Sequence, residues 1–498
     1  MNELLLGIDI GSGSTKAVVA SADGEIVATA TRAHQMSLPR HGWAEMDAEA
    51  IWWQESASLA RELTENVGAD PIAGVCVSGV GPCLLVCDAD GQPLRPAILY
   101  GLDTRASAEI AELTDRYGAD AIVARGGSAL STQAVGPKML WLQHREPEVW
   151  ARTRRWYNSN SFVGARLTGE YFLDHHTASQ CDPMYDIHAL GWYDEWATDV
   201  APGLEFPRLV WPSEVVGHVT AAAAADTGLR KGTPVSAGTV DAWSEAFSVG
   251  VRRPGELMLM YGSTAFIVSV MAELHSDPAL WTTAGIEPAT YTFAAGTSAA
   301  GLLTNWIRTI TGSPPFAEMV AEAAAVPAGS DGLLLLPYFQ GERTPIYDPQ
   351  ARGVLAGLTL RHQRGHLFRA VYEGIAYGLR HVLEFLDDAG GPAERIVAVG
   401  GGTTAELWAQ IVTDVTGREQ QIPTQTIGAS YGDALLAAIG TGLVLPATDW
   451  SRAGKVLVPD ARAHEIYEPL YENFRSLYPA TKDTVHRLAG MQEAPGGA

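Results

Sequence analysis

Residues 4–20 read LLLGIDIGSGSTKAVVA. An apolar run, Leu4–Ile10, interrupted by Gly7 and Asp9, meets the tight turn Gly11-Ser12-Gly13-Ser14, and Lys16–Ala20 resumes as a strand. This is a hairpin pattern in which glycine takes dihedrals closed to other residues, while small hydroxyl side chains leave backbone N–H groups open to an anion. About half the chain later, GELMLMYGSTAFIVSV repeats the device: strand Glu256–Tyr261, turn Gly262-Ser263-Thr264, strand Ala265–Val270. The repeat implies two structurally related halves with a cleft between them.

Outward from these hairpins, strands and helices alternate. Ile72–Ser78 and Leu84–Cys87 read as strands, and Pro234–Ala237 as a strand ending at Gly238. Asp47 caps a helix carrying Trp52 and Trp53, and Lys138–His144 and Ser161–Leu167 read as helices. Pro202–Pro212, rich in proline and apolar residues, reads as irregular connection. Farther on, helices are expected around Gly301–Thr311 and Leu367–Leu386, and a strand Arg395–Val399 enters Gly400-Gly401-Gly402 before a helix from about Ala405. GASYGDALLAAI, residues 428–439, is a small-residue helix suited to close packing, and the tail from about Gly490 is expected to be disordered. The alternation gives an α/β class of mixed sheets flanked by helices, with a hinge between about Gly238 and Pro254.

Length and charge narrow the function. A chain of 498 residues exceeds one compact core. Its 34 basic and 57 acidic residues give a formal net charge of −23, which disfavours nucleic acid and anionic membrane surfaces. It also repels a nucleotide at long range, so any phosphate site must supply local donors and a metal. Cys76, Cys83, Cys87 and Cys181 form no CxxC pair, the start has no basic leader, and no apolar run approaches the ~20 residues that span a bilayer. A cytoplasmic protein is expected.

Two carboxylates stand out. Asp9 lies just before the first turn, where it can orient Mg²⁺ or simply cap the hairpin. Asp241, in GTPVSAGTVDAW, emerges past Gly238 among small and apolar neighbours, placed either as a general base tuned by partial burial or as a helix N-cap. Residues 331–374 then read DGLLLLPYFQGERTPIYDPQARGVLAGLTLRHQRGHLFRAVYEG. A strand Leu333–Leu336 meets a polar turn, Gly341 to Pro345. Gly353, Leu355, Gly357-Leu358, His366-Leu367, Ala370-Val371-Tyr372 and Glu373 follow at fixed intervals.

That spacing resembles the C-terminal signature of the FGGY carbohydrate kinases. HGWAEMDAEAIWW (41–53), VSGVGPCLLVCDADGQPLRPAILYGLDTR (77–105), PKMLWL (137–142) and RLTGE (166–170) resemble the family's N-terminal half, with Val135 and His144 departing from its strict signature. The resemblance implies two actin-like (ribonuclease H-like) domains: a sugar-binding domain 1–245, a nucleotide-binding domain 246–445, and a helical extension with the tail, 446–498. It implies ATP and Mg²⁺ as cofactors, a small sugar or polyol as partner, and a homodimer, common among such kinases. Asp241, within Gly238-Thr239-Val240-Asp241, becomes the catalytic base, and Asp9 and Asp241 the metal carboxylates. Gly11, Ser12, Gly13, Ser14, Thr15 and Lys16 form one phosphate turn and Gly262, Ser263 and Thr264 the other. Gly301 takes the place of a small residue beside adenosine, and Gly400, Gly401, Gly402 and Thr403 match the adenosine loop. Lys16 reads either as a phosphate partner or as a solvated lysine.

The acceptor is less legible. The pattern as a whole is closest to xylulose kinases, yet Val80-Gly81-Pro82-Cys83 stands where they carry Gln-Met-His-Gly. Cys83, Asp103, Gln133, Asp241 and Trp243 are the candidate substrate-binding residues. Asp103 lines the pocket or pairs with Arg105, and Trp243 stacks on a sugar or fills core. The leading expectation is phosphoryl transfer from ATP to a ketopentose, with ribulose, erythritol or another polyol as alternatives. A non-catalytic ATP-binding regulator on the same fold is the alternative of another class. A nicotinamide dehydrogenase is excluded, because the Gly-x-Gly of the first turn leads into a β-run and not a helix.

Overall fold

The computed structural model describes residues 3–390 and 392–493. The elements used below are, in chain order, β1 (Leu4–Ile10), β2 (Ser14–Ser21), β3 (Ile26–Ala33), α1 (Gln54–Val67), β4 (Ile72–Gly79), α2 (Val135–Arg145), α3 (Ser159–Thr168), β5 (Val215–His218), β6 (Pro234–Ser236) and α4 (Asp241–Ser248). They continue with β7 (Glu256–Tyr261), β8 (Ala265–Met271), β9 (Tyr291–Gly296), α5 (Gly301–Ile310), α6 (Arg364–Gly390), β10 (Arg395–Val399), α7 (Glu406–Thr416), β11 (Gln420–Ile422), α8 (Ala429–Gly440), β12 (Lys455–Leu457) and α9 (Ala461–Glu493). Contacts divide the chain into two compact units. The first holds Met1–Arg252, Ala272–Thr292 and Ile427–Ser451, and the second holds Arg253–Met271, Phe293–Thr426 and Arg452–Ala498.

In the first unit the strands lie in the order β5-β6-β4-β1-β2-β3. β1 pairs antiparallel with β2 and parallel with β4, which pairs parallel with β6. β1 is buried along its whole length, as its near-continuous apolar run requires of a central strand covered on both faces. β3, at the edge, alternates half-buried and exposed positions. One cover of β1 is α8. A Cβ added at Gly7 would fall 1.9 Å from the Ser430 carbonyl oxygen, so the helix backbone rests on the strand with no side chain between them.

The second unit repeats the plan. Its strands run β9-β8-β7-β10-β11-β12, with β7 antiparallel to β8 and parallel to β10, itself parallel to β11. The repeated hairpins are therefore the centres of two mixed sheets, as the sequence repeat implied. The acid of the signature, Glu373 on α6, turns out to be a packing device. It accepts hydrogen bonds from Ser330 Oγ (2.7 Å), the Gly329 amide (2.9 Å), Arg369 Nε (2.8 Å) and, on α9, Tyr467 Oη (2.9 Å).

Two local expectations are corrected. Pro202–Pro212 is not wholly irregular, because Arg208–Val210 pairs in parallel with Phe172–Asp174, a strand too short to show a period. Gly490–Gln492 continue α9 rather than opening a disordered tail, and the rest of that tail, 494–498, lies outside the described residues. Among the described residues no helix is long and apolar enough to cross a membrane.

Candidate active site

The first unit gathers its chemistry where parallel strands β1, β4 and β6 end. Asp9 is the penultimate residue of β1, opposite Lys16 on β2 and Ser78 on β4. Backbone bonds tie the neighbouring strand ends together, from Val80 N to Ile10 O at 2.7 Å and from Gly79 N to Thr239 O at 3.2 Å. Gly238 makes the bend that carries the chain to Asp241. Its φ is +67°, and a Cβ there would sit 1.8 Å from the Val77 carbonyl oxygen, so only glycine fits. Thr239 Oγ1 is held by the buried Asp174 at 2.8 Å, which fixes the approach to α4.

Asp241 is the first residue of α4, half-buried, where the helix N-terminus favours an anion. Its Oδ1 accepts the Ala242 amide at 2.7 Å. Burial pushes its carboxyl up to about 6, against the Ala242 hydrogen bond and the Lys16 charge. Asp9 is 7% exposed, and its Oδ1 is buried without a hydrogen-bond partner. Burial, then repulsion from Asp241 and Asp433, holds it well above the usual carboxylate range, opposed by Lys16. Buried polar atoms are normally paired, so this unpaired oxygen calls for a functional or structural explanation.

Two further carboxyls belong to this cluster and were not singled out from sequence. Glu245, one turn beyond Asp241 on α4, is pushed to about 7 by burial and then by Asp241, opposed by Lys16. Asp433 on α8 is completely buried. Glu245 had a readable signal in its i,i+4 spacing from Asp241. Asp433 had none, because it lies 355 residues from Ser78, its partner on β4.

The first turn is braced from below. His34 bridges the Gly11 carbonyl (Nε2, 3.0 Å) and Glu55 Oε2 (Nδ1, 2.8 Å), and Thr15 Oγ1 donates to the same Glu55 oxygen at 2.7 Å. Thr15 is thus buried and committed, whereas Gly11, Ser12, Gly13, Ser14 and Lys16 retain exposure at the turn.

The expected substrate residues separate. Cys83 is buried, its amide donating to Asn158 Oδ1 at 2.8 Å and its thiol to Val80 O at 3.3 Å; burial raises that thiol to about 12. Gln133 is half-buried and receives the Gly101 amide at 2.9 Å. Asp103 is buried and bonded to its neighbours. Its oxygens are taken by the Ala44 amide (2.7 Å) and by Arg105, whose Nη2 lies 2.6 Å away and whose Nη1 also reaches Glu45 at 2.8 Å. Trp243, at 2% exposure, is enclosed: its ring packs on His176 at 4.1 Å and Trp281 at 5.6 Å, and its Nε1 donates to Thr292 at 2.8 Å. Filling core, not facing solvent, is its place in the structure.

In the second unit the turns cluster at the ends of β7 and β10. Gly262, Ser263 and Thr264 form the β7–β8 turn, and the amides of Gly301 and Leu302, at the start of α5, donate to Gly262 O and Ser263 O, each at 3.0 Å. A Cβ at Gly301 would meet Gly262 O at 2.6 Å, so close backbone approach explains that glycine. Gly400 follows β10 directly, and Thr403 closes its turn through Oγ1 to Gly400 O at 2.8 Å. Gly401 has nothing within 4 Å of where a Cβ would stand, and Gly402 packs against Trp408 and Tyr261. The turn positions thus gather at one sheet edge, outside the carboxyl ends of parallel strands where α/β sheets bind ligands.

Comparison with known proteins agrees over nearly the whole chain. The N-terminal domain of the FGGY family of carbohydrate kinases matches residues 4–248, and the C-terminal domain matches 257–441. A xylulose kinase of Bacillus subtilis is 29% identical, covering 96% of this chain and 97% of that protein. A gluconokinase of the same organism is 26% identical over 96% of this chain and 95% of that protein. The crystal structure of xylulose kinase from Rhodospirillum rubrum superimposes with a TM-score of 0.90 at 34% identity, covering 97% of this chain and all of that one. With two matched domains, full-length relatives and two glycine-turned hairpins at the centres of its sheets, the chain belongs to the FGGY family of carbohydrate kinases.

Proposed function

We propose that this carbohydrate kinase transfers the γ-phosphoryl group of ATP to a hydroxyl of a ketopentose, xylulose first among them, with Asp241 as general base. The observation that carries the reading is Asp241 itself: a half-buried carboxyl at a helix N-terminus, bonded to a single amide and raised to about 6. Such a group is ionised at neutral pH yet basic enough to take the hydroxyl proton as its oxygen attacks phosphorus. Full-length likeness to xylulose kinases supports the ketopentose. Gln133 is the residue assigned to the acceptor, whereas Cys83, Asp103 and Trp243, buried and bonded to their own neighbours, are not.

The phosphates are assigned to the amides of the Gly11–Ser14 turn with the Lys16 ammonium, and to Gly262, Ser263 and Thr264. Adenosine is assigned to Gly301 and to the turn from Gly400 to Thr403. The residues present fit Mg²⁺. Asp9 offers a buried oxygen without a partner, and among the described residues no cluster of three or more His, Cys, Asp or Glu could hold a metal. Mg²⁺ is characteristically held by one or two carboxylates, with phosphate and water completing its shell. Asp9 and Asp241 would hold it, and it would supply neutralising charge to the phosphates.

A coupled ADP-release assay with Mg·ATP over D- and L-xylulose, D- and L-ribulose, fructose, tagatose, erythritol, ribitol, arabitol, glycerol and gluconate tests the acceptor. One ketopentose far above the rest in kcat/KM is expected, and gluconate or a polyol in that place would replace the reading. Asp241→Asn should cost at least ~10²-fold in kcat, the usual size of a general-base contribution. Full turnover by that variant would place the base elsewhere.

A further inference from the structure

The reaction as proposed uses Asp9, Asp241 and Lys16 and leaves Asp433 without a task, although it is a completely buried carboxyl. Its surroundings are serines. Oδ2 accepts from the Ser78 amide (3.2 Å) and meets the Ser78 hydroxyl (2.6 Å), and Oδ1 lies 2.6 Å from Ser244 Oγ. Among the described residues no lysine, arginine or histidine pairs with it.

Hydrogen counting at Ser244 fixes the proton. Ser244 Oγ also lies 3.1 Å from the carbonyl oxygen of Ala429, which can only accept. A serine hydroxyl carries one hydrogen. Donated to Ala429, it leaves Ser244 Oγ to accept from Asp433, so Oδ1 must carry a proton. Donated to an ionised Asp433, it leaves the Ala429 contact without a hydrogen. Only the neutral acid fills both contacts.

The two serines connect Asp433 to the reacting carboxylates. Ser78 is the β4 neighbour of Asp9 in the sheet register. Ser244 stands one turn beyond Asp241 on α4. The helix that brings Asp433 there is pressed close on both sides: a Cβ at Gly432 would fall 2.0 Å from the Ser244 carbonyl oxygen, as one at Gly7 would meet Ser430.

We propose that Asp433 is a positioning residue, held as a neutral carboxylic acid, that locks Ser78 and Ser244 and so sets the separation of Asp9 and Asp241 without adding a negative charge to them. This deepens the kinase reading and rests on Asp241 being its base. The charged and titratable groups facing Asp433 are Asp9 on β1, Cys76 on β4 and Asp241 on α4. Burial raises its carboxyl to about 8, with Asp241 adding to the rise, in keeping with a retained proton at neutral pH.

The test pairs an amide with a deletion. In Asp433→Asn the carbonyl can still accept from Ser78, and the NH₂ can donate to Ser244 as the acid proton does. We expect kcat within about threefold of wild type, whereas Asp433→Ala should lose ~10-fold or more, since a 1 Å misplacement of reacting groups can cost ~10²-fold. Infrared difference spectra of the full-length enzyme at pH 6.5, wild type minus Asp433→Asn without ATP or sugar, should show one neutral-carboxyl C=O band. Loss of an ionised-carboxylate band instead, or an Asn variant as impaired as the Ala variant, would overturn the proposal, as would full activity in Asp433→Ala. The infrared reading needs no turnover, so a retained neutral-acid band in a protein that phosphorylates no sugar would count against the kinase chemistry and leave the acid in place.

Discussion

The two hairpins share a backbone plan and differ in what they carry. In the first, the position two residues before the turn glycine is Asp9, opposite Lys16 and beside Ser78. In the second it is Met260, opposite Phe266 and beside Val399. One strand end has become an electrostatic site with three more carboxyls, Asp241, Glu245 and Asp433, raised by burial around it. The other has become apolar packing beneath a turn whose offerings are backbone amides and two small hydroxyls. The same fold element therefore gathers carboxyls and a lysine in one unit and backbone amides with small hydroxyls in the other. The difference lies in side chains, since the hydrogen-bonded frame is common to both.

Three measurements would break or sharpen that contrast. The largest effect should come from the frame of the charged edge. Gly238→Ala forces a positive φ on alanine and drives its Cβ into the Val77 carbonyl, and should destabilise the protein by roughly 2–4 kcal/mol in denaturant melts. Gly401→Ala, in open space at the other edge, should stay within about 0.5 kcal/mol. Similar losses from both would mean that the two edges are equally constrained.

Next is the pH profile. Asp241 must be ionised to accept a proton, and its carboxyl is raised to about 6, so kcat/KM should fall about tenfold per unit as pH drops below about 6. An acid limb at the ordinary carboxylate position would show that burial does not tune the base.

Lys16→Met should have the smallest effect. Lys16 draws the carboxyls of Asp9, Asp241 and Glu245 downward, so its loss should move the acid limb to higher pH. Because the ammonium is exposed, the movement should be less than about one unit. A limb that moves down, or not at all, would remove Lys16 from the site's electrostatics.

The legible parts of the molecule were those written in contiguous residues. β1, β7 and β10 are apolar runs with glycine at their ends, and they appear within the bounds read from sequence. Asp9 and Asp241 were visible because each adjoins a glycine-marked break in the chain. Asp433 was hidden inside a helix whose small residues announce only close packing, and its partners come from strands and helices far away in sequence. Asp103 and Trp243 show the reverse case. Their residue types suit sugar binding, but an arginine two residues on takes one and a ring of aromatic neighbours encloses the other. Polarity and aromaticity say what a side chain can do, and only the packing says whether a ligand can reach it.

The cover that α8 gives to β1 has a consequence in time. The ribosome makes β1, β4 and β6 early, yet the helix that closes over them begins roughly 180 residues after Arg252. At ~5–20 residues per second the helix follows Arg252 by roughly 10–35 s, and β1 has by then stood longer still with an apolar face bare. A fragment ending near residue 252 would keep that face bare for good, so the amino half of this enzyme is a late-finishing structure, completed only when almost the whole chain has been translated.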